Sequence, residues 1–290
     1  MSSDSQARTE GSATGRLLYL LALLSGFGSV VYEVLYMRHL TNLLGDMYYV
    51  HAALIGTFLL GIGVGSKIAH RFRRHLFVFE GVIGLYAWAF PVLVALFEQS
   101  LLHRAIEDPV WQTVASTALL LSIPSTAIGF SVPLFSLYLD EFSESEHGFF
   151  STYFLYNLGA CLSILFFELV VIRLAGYVVS LRLLGTVNIL IAGALYVGRH
   201  RWLPDRNPAD SSETDPPPVN RSLALFTASL AAALFHGFYL KVSYHLFMPH
   251  RENFAICTSA VLLGMALGTD LVHRRNIGFR TAVVGAIVAI

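Results

Sequence analysis

The chain is built from apolar stretches of about 20 residues, the length a helix needs to cross hydrocarbon. They run over Leu17–Leu40, Tyr48–Ala69, Leu76–Phe97, Val110–Leu134, Phe149–Ile172, Val178–Val197, Leu223–Val242 and Phe254–Val272. In a bilayer each backbone N–H and C=O must find its partner inside the protein, and a helix achieves this within one segment. A ninth run begins near Thr281 and reaches Ile290. Its ten residues would cover about 15 Å as helix, so it reads as unfinished, re-entrant or completed by a partner. These runs predict an all-α, polytopic transmembrane helix bundle of about eight or nine helices. Composition agrees: 55% of residues are hydrophobic and 13% charged, against about 25% charged in soluble domains. Lys+Arg and Asp+Glu both number 19, so no charge excess points to nucleic acid. The bilayer is the first expected partner.

Residues 1–15, rich in Ser, Thr and Gly, read as a disordered N-terminal tail. Residues 16–197 form a six-helix membrane domain. Residues 198–221, containing Pro216, Pro217 and Pro218, read as a cytoplasmic linker, and residues 222–290 as an incomplete second membrane repeat. The run after the tail is too long for a signal peptide and carries no clear cleavage site. With the N-terminus inside, 13 Lys and Arg fall on the cytoplasmic side and 6 on the outer side or outer helix ends. The positive-inside rule therefore favours a cell-membrane protein with a cytoplasmic N-terminus.

A shift of 203 residues superposes two stretches without a gap. Gly61 and Gly65 fall on Gly264 and Gly268, His70-Arg71 on His273-Arg274, Tyr36 on Tyr239, and Arg38 on Lys241. Six helices separate the copies, an even number, so both should run in the same direction as a parallel internal repeat. Gly61/Gly65 and Gly264/Gly268 are GxxxG pairs and read as helix-packing positions. In the same register Lys67 meets Asp270, which suggests a salt bridge at the inner face.

Ionisable groups inside hydrocarbon need a partner or a task. Glu33 and His236 occupy equivalent repeat positions in the outer half of their helices, each with a tyrosine one turn on, Tyr36 and Tyr239. With Asn157 they make a candidate intramembrane polar site, either a hydrogen-bonded pair or a proton relay. Glu80, one turn inside α-helical run three, is expected to pair with Arg73 or Arg74. Arg38 and Lys241 read as interfacial anchors and Glu168 as a partner of Arg173. Pro124, Gly129 and Pro133 in the fourth run imply a kink packed by neighbours or a break lining a pathway. Cys161 and Cys257 read as small packing residues. No catalytic constellation, metal-ligand spacing or cofactor-binding loop is present in the sequence.

Five ordered segments carry a family resemblance. The stretch Leu24–Arg38 resembles the first helix of membrane-embedded spermidine synthase-like proteins. Leu60–Ser66, Glu80–Gly84, Gly129–Tyr138 and Tyr156–Ala160 are similar to later segments of the same membrane domain. That domain is distantly similar to major facilitator transporters, whose basic loop between helices two and three Gly65–Arg74 resembles, with His70 where an Asp is usual. The resemblance implies the membrane part alone, because no Gly-rich nucleotide loop of the aminopropyltransferase domain is found. The expected function is an integral membrane scaffold or anchoring subunit acting with a separate protein partner. The alternative is a small-solute or proton-coupled transporter.

Overall fold

The computed structural model describes residues 3–45, 48–99, 108–142, 148–202 and 253–275, with positions 235, 238, 239, 241, 242 and 246 between the last two stretches. Among them all regular structure is helical. The helices are α1 (Ser3–Leu44), α2 (Tyr48–Ile68), α3 (Leu76–Glu98), α4 (Pro109–Phe142), α5 (Gly148–Phe166), α6 (Ile172–Trp202) and α7 (Asn253–Arg275). A tight 3-10 turn, Ala69–Phe72, follows α2, and a wide π turn, Phe167–Val171, joins α5 to α6. α1 starts at Ser3, so the stretch read as a disordered tail continues the first helix toward the N-terminus.

Five helical segments among the described residues are long and apolar enough to cross a membrane: Gly15–Leu44, Tyr49–Phe72, Leu76–Glu98, Val110–Leu139 and Ser151–Arg199. Ala255–Leu271 is a shorter apolar helix. The sequence suggested eight or nine, and the difference has two sources. The run at Leu223–Val242 lies almost wholly outside the described residues, as do residues 203–221 of the linker and the run from Thr281. The runs Phe149–Ile172 and Val178–Val197 are joined through α5, the π turn and α6, with non-helical backbone at Gly176 (φ 76, ψ 168). That positive φ suits glycine, which has no Cβ to clash. The chain folds back there. Before it, Glu168 lies level with Arg38; just after it, Tyr177 meets His39; further on, Asn188 is back down at Tyr32.

α1 and α4 are the central helices. Within their most apolar windows 56% and 61% of residues are buried, against 28% in α2 and 33% in α3. α1 touches α2, α3, α4, α5 and α6, while α2 lies along α4, α3 along α6, and α7 against α5. These central helices carry the small hydroxyl residues, which suits close packing where no hydrophobic force separates helix from lipid. Ser116, Thr117, Ser125 and Ser131 of α4 are all fully buried.

Glycine sets the closest approaches. Gly61 and Gly65 press against Ser125, Thr126 and Gly129 of α4, as the first GxxxG pair suggested. A Cβ on Gly84 would stand 2.6 Å from the Gly185 carbonyl oxygen, and one on Gly26 would stand 2.5 Å from that of Tyr156. Gly264 and Gly268 instead have nothing within 4 Å among the described residues. The expected second repeat copy is represented there by α7 alone.

α4 stays helical through Pro124 and Pro133, so neither proline breaks it. Each removes an N–H and frees the carbonyl four residues earlier, here Leu120 and Gly129. Both are satisfied from neighbouring helices: the Tyr86 hydroxyl of α3 donates to Leu120 O at 2.7 Å, and the Ser66 hydroxyl of α2 donates to Gly129 O at 2.9 Å. In place of the pathway-lining break considered from the sequence, α4 runs on as one helix with its two freed carbonyls clasped by neighbours.

Two outcomes follow from this packing. Gly65→Leu forces a side chain into the α4 backbone and should destabilise the bundle by about 1–3 kcal/mol, whereas Gly63→Leu, which points into open space, should be close to neutral. Thermal unfolding of the detergent-solubilised variants measures the contrast. Tyr86→Phe and Ser66→Ala should each cost about 0.5–2 kcal/mol, the range for hydrogen bonds between membrane helices.

Candidate functional site

Five helices bring polar side chains to one buried point. Glu80, the fifth residue of α3, is 0% exposed. Its Oε1 accepts from the Ser25 hydroxyl of α1 at 2.7 Å and from the Ser131 hydroxyl of α4 at 2.9 Å. Its Oε2 accepts from Nδ2 of Asn188, on α6, at 2.6 Å. Asn188 is held in turn, because its Oδ1 accepts from the Tyr32 hydroxyl of α1 at 2.7 Å. The Tyr156 hydroxyl of α5 lies among Ser25, Ser29 and Ser131. The carboxyl group is therefore bound entirely by neutral donors. The arginine partner expected from the sequence is not used: Arg73 is exposed at the turn before α3, and both Glu80 oxygens are engaged inside the bundle. Neutral donors suffice because hydrogen bonds to a charged group are about twice as strong as neutral ones.

Helical spacing explains the convergence. Ser25, Ser29, Tyr32 and Tyr36 follow each other by four, three and four residues, one stripe of α1, and all are buried. The sequence reading singled out Glu80 but missed Ser25, Ser131, Asn188 and Tyr32. The polar stripe on α1 and a second intramembrane asparagine were the available signals.

A second polar contact lies about 20 Å along α1 from Ser25. Arg38 pairs with Glu168, whose side chain is 4% exposed. The sequence placed Arg38 at the outer boundary and Glu168 near Arg173; the structure adds the contact between Arg38 and Glu168. Glu168 sits in the π turn, where it and its neighbour Phe167 are both buried. Such turns recur at functional positions. His39 and Tyr177 pack edge to face at 4.9 Å beside this pair.

The other expected residues separate. Glu33 is half-buried on α1 and makes no hydrogen bond among the described residues. His236 lies outside those residues. Tyr36 is fully buried, tilted against Phe90 at 4.2 Å, and its hydroxyl has no hydrogen-bond partner among the described residues. Tyr239 is 37% exposed and stacks on Phe235. Asn157 donates to the Tyr153 carbonyl of its own helix at 2.8 Å, an intrahelical bond in place of the interhelical one expected. The expected pair of Lys67 with Asp270 is not among the contacts seen in the described residues, where Arg38 pairs with Glu168. Among those residues no three His, Cys, Asp or Glu side chains converge as a metal site.

Both contacts make quantitative demands. Asn188→Leu strips Glu80 and Tyr32 of a partner each and should cost about 2–6 kcal/mol, from about 1–3 kcal/mol for each buried polar group left unmatched. Arg38→Ala leaves Glu168 buried without its cation and should cost about 3–5 kcal/mol, while the Arg38→Ala/Glu168→Ala pair recovers much of it. Denaturant titration of the wild type, Arg38→Ala, Glu168→Ala and the double variant in detergent measures the recovery; a double-variant loss equal to the sum of the two single losses would show that the pair carries no coupling.

Comparison with known proteins finds no family, no curated protein and no solved structure that matches the chain. The functional reading accordingly rests on the chemistry of these contacts.

Proposed function

We propose that the chain is an integral membrane scaffold or anchoring module that works with a separate protein partner, as the membrane part of spermidine synthase-like proteins would. The observation that supports this reading is the way the bundle's polar groups are spent on one another. Glu80 ties α3 to α1, α4 and α6. Tyr86 and Ser66 tie α3 and α2 to the kink carbonyls of α4, and Arg38 ties α1 to the π turn. A transporter alternates between two packings of nearly equal energy, and ties at several levels oppose that exchange. A platform for a partner needs one fixed shape.

Charge distribution supports the orientation. One end of the bundle is marked by the cluster of Leu18, Ala69, Leu76, Leu134 and Leu195. Beside it stand the exposed Arg16, Lys67, Arg71, Arg73, Arg74 and Arg199. By the positive-inside rule this end, with the N-terminus, faces the cytoplasm of a cell membrane. The parallel repeat belongs to the same reading, with residues 222–290 as its second copy.

Glu33 favours a second reading, proton-coupled or small-solute transport, because a half-buried membrane carboxyl without a hydrogen bond among the described residues is a group available to a solute. Proteoliposomes carrying the full-length chain separate the two. The scaffold reading expects no dye-reported proton uptake above protein-free vesicles and a second protein at fixed stoichiometry in native nanodiscs. Uptake that Glu33→Gln abolishes would establish transport and overturn it. For orientation, a membrane-impermeant maleimide on intact cells should label Glu98→Cys and leave Arg73→Cys unmodified; the natural Cys161 and Cys257 are buried and silent.

A further inference from the structure

We propose that Glu80 is a proton-binding site, and that Ser25 and Ser131 let the bundle hold it in either protonation state without moving a helix. The geometry provides for both states. With the carboxyl ionised, Ser25 and Ser131 both donate to Oε1 while Asn188 donates to Oε2. When a proton from water adds to Oε1, the new O–H donates to one serine oxygen. That serine's own hydrogen then turns to the carbonyl one turn back in its helix, the local bond that serines in helices commonly make. Several serines here already do so: Ser116, Ser125, Ser180 and Ser259 each donate to the carbonyl four residues earlier. Asn188 does not turn, because the Tyr32 hydroxyl holds its Oδ1 and its Nδ2 donates to Oε2 in both states.

No fixed charge decides the state. The titratable groups facing Glu80 are Tyr32 from α1 and Tyr156 from α5. α4 contributes Ser131 and α6 contributes Asn188, neither of which titrates. Glu33 stands on a neighbouring stripe of α1, and Arg38 is engaged with Glu168 at the far end of the same helix. His75, Arg71, Arg73 and Arg74 are exposed at the turn before α3. A salt-bridged carboxylate would be fixed in its ionised form by its cation; this one is surrounded by hydroxyls that donate or accept. Both forms hold α1 and α4 on one oxygen, and protonation reverses the direction of one of those two bonds without breaking it. The site stands whether the chain is a scaffold or a transporter.

Infrared spectroscopy of the full-length protein in nanodiscs tests this directly, through the carbonyl stretch of protonated carboxyl groups recorded as pH is varied. The expected result is a pH-dependent carboxyl band that is lost in Glu80→Gln and retained in Glu33→Gln. Gln is nearly isosteric with the protonated acid, so folding should survive. Should it not, Ser131→Ala in a folded protein is expected to move the midpoint of the same band. A band unchanged by Glu80→Gln, or a midpoint unmoved by Ser131→Ala, would overturn the proposal.

Discussion

Hydrocarbon leaves no water to satisfy a polar group, and this constraint governs how the bundle is assembled. Glu80 is its sharpest instance. A carboxyl with no exposure could have been matched by an arginine, but it is matched by two serines and an asparagine from three other helices. Each bond between membrane helices is worth about 0.6 kcal/mol on average. Their number matters less than their direction, because each bond ends on a different helix. Leaving any of these groups unmatched costs more than the bond itself contributes, so the helices have one mutual arrangement in which all are paired.

The same accounting explains why α4 can carry two prolines. A proline in a membrane helix is tolerated where the freed carbonyl is covered. Here the covering groups are a tyrosine on α3 and a serine on α2, placed at the levels of Leu120 and Gly129. The glycines then decide how close the helices come. Gly61 and Gly65 bring α2 onto α4 so that Ser66 reaches its carbonyl. Packing and hydrogen bonding are therefore one design at this contact, since a side chain at position 65 would move the hydroxyl at 66 out of reach.

At the opposite end, the π turn and Gly176 act in series. The wide turn buries Glu168 against Arg38, and eight residues later the positive-φ glycine sends the chain back along α3. Asn188 then arrives beside Tyr32. The polar cluster at Glu80 thus depends on a reversal far from it in space, which fixes the register of α6 against α1.

The sequence by itself determined that the chain is helical, with segments long and apolar enough to cross a membrane, because the length of an apolar run and the scarcity of charge within it are local properties. It also marked Glu80 as needing a partner, Gly61 and Gly65 as packing positions, and Pro124 and Pro133 as sites where a carbonyl is freed. It did not name the partners. Arg73 and Arg74 are near Glu80 in sequence, but Ser25, Ser131 and Asn188, 55, 51 and 108 residues away, are the ones that bind it. Likewise the partner of Arg38 is Glu168, 130 residues distant. Which helix stands beside which is set by glycine contacts, a bulge and a reversal acting together, and these are properties of pairs of helices that a single strand of sequence does not display.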